Sequence, residues 1–146
     1  MKRRGTCIAY REGVLAADTL VVMDDLIKLD NDIKIAKHKG HLFGISGNNC
    51  PTLEDFKKWW FVPSGERKPY KKPFSFRSLV ILPNGTIEEW DSLGNGDKVD
   101  APFWAIGSGR EFALGALEFG ATAEEAVKAA IKWCPTVGGR VVVRKL

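Results

Sequence analysis

The chain has 146 residues, of which 45% are hydrophobic, and a formal net charge of +4, which suits one globular domain with a real core and is too short for two. No apolar stretch approaches the roughly 20 residues of a membrane helix, and the basic start MKRRG leads into no secretory h-region, so a cytoplasmic protein without membrane contact is expected. Cys7, Cys50 and Cys134 are odd in number and lack CxxC or His-paired spacing, so neither a disulfide framework nor a zinc site is expected.

In chain order, residues 6–12 and 13–19 read as two strands with Gly13 in the turn between them. The second, GVLAADT, is nearly all apolar, as in a strand covered on both faces. A less regular stretch runs to Asp32. IKIAKH and HLFGISG then pair around Lys39-Gly40. Pro51 and Thr52 open a short helix with Glu54 and Asp55 in its first turn, Phe56, Trp59 and Trp60 for burial, and an end before Pro63.

The following loop, ERKPYKKPFSFR, interleaves Arg67, Lys68, Lys71, Lys72 and Arg77 with Tyr70, Phe74 and Phe76, the pattern that best argues for nucleic acid. Lys2, Arg3 and Arg4 nevertheless supply three of the four net positive charges, and a proline-punctuated basic loop is ordinarily a solvated connection. No nucleic-acid partner is expected.

FRSLVIL and TIEEW flank Asn84-Gly85, a hairpin signal, and FWAIG adds a strand. Residues 108–119, closed by Gly120, form a helix. Thr122 with Glu125 three positions on opens another, whose apolar face is Ala126, Val127, Ala130 and Ile131. RVVVRKL is a last strand. Strands, helix, strands, helices and strand, without βαβ alternation, make an α+β pattern.

Taken together, GTCIAYREGVLAADT, IKIAKHKGHLFGISGN and WAIGSGREFALGALEFGATAEEAVKAAI resemble the strand, hairpin and late-helix blocks of the proteasome β-subunit and HslV-type peptidases, which are N-terminal nucleophile hydrolases. The match covers most of residues 5–60 and 103–146. It implies a four-layer αββα sandwich, here with a shortened helical layer. Residues 1–5 would be a short prosegment and 6–146 the hydrolase domain.

The resemblance implies a threonine peptidase activated by its own cleavage at Gly5-Thr6. A threonine hydroxyl needs a base within reach, and a free α-amine on the same residue can serve once that bond is cut. Glycine before the threonine lets the chain bend sharply there. Carried over by position, Asp18 and Lys34 are the charged pair beside the nucleophile Thr6, Gly47 supplies the oxyanion N–H, and Ser108 contacts the amine. The first specificity pocket would involve Val21, Val22, Asp32, Ile45 and Asn49, for a mainly apolar side chain, with Asp32 admitting a basic one. The substrate would be a peptide or unfolded protein, the assembly a homo-oligomer, and an ATPase unfoldase a possible partner class; no metal or organic cofactor is needed.

Singly, each residue has an ordinary alternative: Lys34 as a surface charge, Gly47 as a turn, Ser108 as a helix N-cap, Thr6 as a strand threonine. Their joint order around a Gly-Thr junction favours the chemical reading. Cys7 would face away from Thr6 and read as a small buried hydrophobe.

Two departures stand out. Counting back from Gly138-Gly139, an aspartate and a serine of the family pattern are replaced by Cys134 and Val137, leaving Thr136 as a partial substitute. After the short helix there is only the basic loop where the family has more helix. These departures support the alternative of an inactive interaction subunit that keeps its prosegment.

Overall fold

The computed structural model describes residues 2–3, 5–23, 26–29 and 32–146, with side chains for 5–22 and 32–146. β2 (Ile8–Arg11) and β3 (Val14–Ala17) form a hairpin whose turn residues Glu12 and Gly13 both have positive φ, at 49° and 79°. β11 (Phe103–Ile106) pairs with β2 and β12 (Val142–Lys145) with β3, giving an antiparallel sheet in the order β11-β2-β3-β12. A second antiparallel sheet runs β10-β9-β8-β7-β6, from β6 (Ile35–His38), β7 (His41–Asn49), β8 (Ser75–Ile81), β9 (Ile87–Asp91) and β10 (Gly96–Val99).

Strand alternation decides what each face buries. Ile8 and Tyr10 of β2, with Leu15 and Ala17 of β3, meet Ile35, Leu42, Leu79 and Ile81 of the five-stranded sheet in one apolar cluster. Ala9 and Ala16 turn the other way, with Cys7, towards Ala113 and Leu117 of α2 (Arg110–Glu118) and Ala126, Val127 and Ala130 of α3 (Ala123–Trp133). Leu15, Ala16 and Ala17 are therefore all fully buried, as a strand covered on both faces requires.

On the outer face of the five-stranded sheet, α1 (Leu53–Phe61) begins at Thr52, whose hydroxyl accepts the Asp55 N–H at 3.1 Å. Its Phe56 is fully buried against Phe43, Ile45, Phe76 and Val80. Beyond α1 only a 3₁₀ turn, Ser64–Glu66, interrupts the loop, and Trp59, Trp60, Tyr70 and Trp90 pack around the cluster. The loop's Arg67 lies over the rings of Trp59, Trp60 and Trp90, at 4.7 to 5.4 Å from their centroids. Part of the presumed basic surface is thus engaged in aromatic packing.

The stretch expected to be irregular up to Asp32 instead contains β4 (Val21–Met23) and β5 (Leu26–Leu29), which with β1 (Lys2–Arg3) make a small three-stranded sheet. These strands are too short to register as periodicity. The Asp32 N–H donates to the Thr19 carbonyl at 2.9 Å, returning the chain to the main sheets. The edge strand β10 was also not expected; its GDKV sequence has no apolar alternation.

Candidate active site

Thr6 lies just ahead of β2 and is fully buried. Its carbonyl accepts the Gly109 N–H at 3.0 Å, and its N–H donates to Ser108 Oγ at 3.1 Å, so the start of α2 holds it in place. Gly5 runs so close to Thr136 that a Cβ on it would collide with the Thr136 carbonyl.

Asp18 follows β3 and Lys34 precedes β6; their side chains are wholly shielded from solvent and 2.9 Å apart. Burying two charges costs several kcal/mol per ion unless hydrogen bonds replace the lost water. They do so here. Asp18 Oδ1 accepts Lys34 Nζ–H and the Cys7 N–H at 3.0 Å, and Oδ2 accepts the Gly138 N–H at 3.2 Å. Lys34 Nζ donates also to the Leu20 carbonyl at 2.9 Å and to the Gly5 carbonyl at 2.8 Å. An ammonium has three protons, and these contacts account for three. One of them polarises the carbonyl of the Gly5–Thr6 bond.

The other flank of Thr6 is uncharged. Ser108 Oγ lies 2.8 Å from Thr136 Oγ1, which lies 3.4 Å from Cys134 Sγ. Ser108 does not cap α2: the N-cap is Gly109, without a side-chain bond, and the Ser108 hydroxyl reaches across the chain to Thr6 instead. Val137 is buried in the helix-side cluster. Cys7 is buried there too; burial, with the Asp18 charge and Cys134 adding to it and Lys34 opposing, pushes its thiol up to about 12, so it is no thiolate at neutral pH.

Gly47 lies where the β7–β8 register shifts between Ser46 and Asn49. A Cβ there would sit 2.6 Å from the Ser75 carbonyl oxygen, so the neighbouring strand leaves no room for a side chain. The shift also redirects its neighbours. Asp32 and Ile45 line a cavity of about 310 Å³ together with Asn48 and Cys50, whereas Asn49 borders a separate cavity and donates to the Pro73 carbonyl at 3.0 Å. Val21 and Val22 belong to β4 and are not among the residues lining the first cavity. Simple alternation from Ile45 selects 47 and 49; only the irregularity brings in Asn48, and no sequence signal marks it.

Among the described residues no cluster of His, Cys, Asp and Glu could hold a metal ion, and no helix is long and apolar enough to cross a membrane.

The sequence matches no protein-family model and no curated protein. Its structure is similar to Thiobacillus denitrificans BPH in complex with epoxomicin, with TM-score 0.65 and 19% identity over 100% of this chain and 99% of that one. A second Thiobacillus denitrificans BPH structure gives 0.64 and 18% over 100% and 98%. Eukaryotic HslV from Trypanosoma brucei gives 0.70 and 15% over 99% and 98%. Over essentially its whole length, the chain has the fold of HslV and BPH.

Proposed function

We propose that this protein is a threonine-type peptidase of the proteasome/HslV kind, built as a four-layer αββα sandwich and activated by its own cleavage at Gly5-Thr6. The observation that carries this reading is the buried Lys34 ammonium donating to the Gly5 carbonyl, one bond from a threonine whose N–H is held by Ser108. It is supported by the backbone before the junction, which pairs antiparallel with β4, Lys2 opposite Met23 and Arg3 opposite Val22, as a peptide adds to a sheet edge.

In the first step Thr6 Oγ attacks the Gly5 carbonyl carbon, while Lys34 stabilises the charge that develops on its oxygen. The C–N bond breaks, the departing nitrogen gains the proton the hydroxyl gave up, and Gly5 is left as an ester on Oγ. Water hydrolyses the ester, releasing the upstream segment with a carboxylate and leaving a free Thr6 amine. The Lys34 proton that held Gly5 then serves the Thr6 hydroxyl.

In turnover the amine, with an ordinary pKa near 8, takes the proton from Oγ as Oγ attacks a peptide carbonyl. The Gly47 N–H stabilises the oxyanion, a role typically worth about 3 kcal/mol. The proton passes to the leaving amine, and water clears the acyl ester. The cavity with Ile45 and Asp32 suits an apolar or basic side chain on the substrate. Phe112, Phe119 and Trp133, exposed on or beside α2 and α3, support assembly with further copies of the chain.

The test is the intact mass of freshly purified protein, wild type beside Thr6→Ala. The expected result is a wild-type chain shortened by Met1–Gly5 and a full-length variant, with epoxomicin binding only to the processed form. Two full-length masses would replace this reading with that of an inactive interaction subunit, which is favoured by Cys134 and Val137 standing where the family pattern has an aspartate and a serine, leaving the Thr136 hydroxyl beside Ser108 as a partial substitute.

A further inference from the structure

We infer that Thr136 is a positioning residue for the self-cleavage step, holding both ends of the Gly5–Thr6 peptide. Two independent contacts carry this. At one end, Gly5 is packed so tightly on the Thr136 backbone and Cβ that a side chain at position 5 has no space, which restricts the carbonyl to the direction in which Lys34 Nζ donates to it at 2.8 Å. At the other, Thr136 Oγ1 lies 2.8 Å from Ser108 Oγ, which accepts the Thr6 N–H at 3.1 Å. A free serine hydroxyl has three rotamers; the Thr136 bond favours the one that accepts from Thr6. Cys134 Sγ, 3.4 Å from Thr136 Oγ1 and 3.8 Å from the Ser108 carbonyl, closes the arrangement without a charge. Among the described hydrogen bonds of Lys34 none goes to Thr136, which acts through Gly5 and Ser108.

The inference rests on the reading that Gly5–Thr6 is cut, and the experiment separates the two. Thr136→Val keeps the shape and removes the hydroxyl; Thr136→Ser keeps the hydroxyl. Each is made in wild type, where the time course of release of the upstream segment is followed by mass, and in the Thr6→Ala chain, where hydrogen exchange of the residue-6 amide reports the bond to Ser108 without any chemistry. Loss of one ordinary hydrogen bond predicts that Thr136→Val raises that exchange and slows release, each about fivefold to tenfold, and that Thr136→Ser recovers most of both. Unaltered exchange in Thr136→Val, or a Thr136→Ser chain as impaired as Thr136→Val, overturns the inference. If exchange responds as expected but wild type never releases the segment, Thr136 positions the peptide and the peptidase reading is the one that fails.

Discussion

The two flanks of Thr6 hold it by opposite physics. On one, Lys34 and Asp18 form an ion pair with no solvent exposure, and every bond is needed because a buried charge that loses its partner has no water to turn to. On the other, Ser108 and Thr136 are neutral and solvent-exposed, with Cys134 beneath them, so water can replace a lost hydroxyl. Substitutions on the charged flank should threaten the fold itself, whereas those on the neutral flank should tune geometry.

The largest expected effect is therefore Lys34→Ala, which strands the Asp18 carboxylate and should cost about 3–5 kcal/mol in urea unfolding of the Thr6→Ala chain. Replacing both charges together, Lys34→Met with Asp18→Leu, should recover only part of that loss, because the Cys7 and Gly138 N–H groups lose their acceptor, and should leave the wild-type junction uncut; a double variant less stable than the single would refute the buried-pair account.

Cys7 links the flanks, with its N–H on Asp18 and its thiol near Cys134. In the unfolded chain this thiol ionises near its ordinary value of 9, while in the folded protein it keeps its proton to about 12. The stability it contributes is thus complete below pH 9 and is lost as pH rises through that window. Unfolding curves from pH 8 to 11 should fall more steeply for wild type than for Cys7→Ala.

On the neutral flank, Ser108→Ala should cost about 1–2 kcal/mol of stability, because the Thr136 hydroxyl it leaves is open to water and the buried Thr6 N–H it leaves is uncharged. A loss near that of Lys34→Ala would erase the distinction between the flanks. The smallest signal is thiol labelling at pH 8: half-exposed Cys50 should react first, with buried Cys7 and Cys134 protected until unfolding.

The two outer covers repeat the contrast on a larger scale. α2 and α3 approach their sheet through Ala9, Ala16, Ala105, Ala113, Ala126 and Ala130, small side chains that let two helices lie close to it. The opposite face has α1 and a loop, and Phe56, Trp59, Trp60, Phe61 and Tyr70 cover it with large aromatic side chains. The aromatic residues of the basic loop were legible in sequence as a possible binding stripe, because composition does not reveal which face they cover. Tyr70 and Phe76 pack edge to face at 5.1 Å between their centroids, which makes them part of that cover.

What could be read directly were features closed within a few residues. The Thr122–Glu125 capping box is reciprocal, at 3.1 and 3.0 Å, because both partners lie on one helical turn. The hairpin turns at Glu12-Gly13 and Lys39-Gly40, the apolar face of α3 and the end of α1 before Pro63 are local in the same sense. Asp18, Lys34, Gly47 and Ser108 were named only through resemblance, since nothing in their own neighbourhoods distinguishes them from surface charges, turns or caps.

The sequence by itself determined the longer hairpins, the three helices and the apolar face of α3, but not β4, β5 or β10, because backbone propensity, capping and side-chain periodicity act over one or two turns of chain and need a patterned stretch to register. Tertiary structure alone decided which polar groups meet. Ser108 serves Thr6 from 102 positions away and Thr136 from 28 positions beyond Ser108, and where the register shifts at Gly47, Asn48 borders the cavity of Ile45 and Asp32 while Asn49 does not. Such pairings depend on how sheets stack and where a ladder breaks, quantities that no local preference encodes.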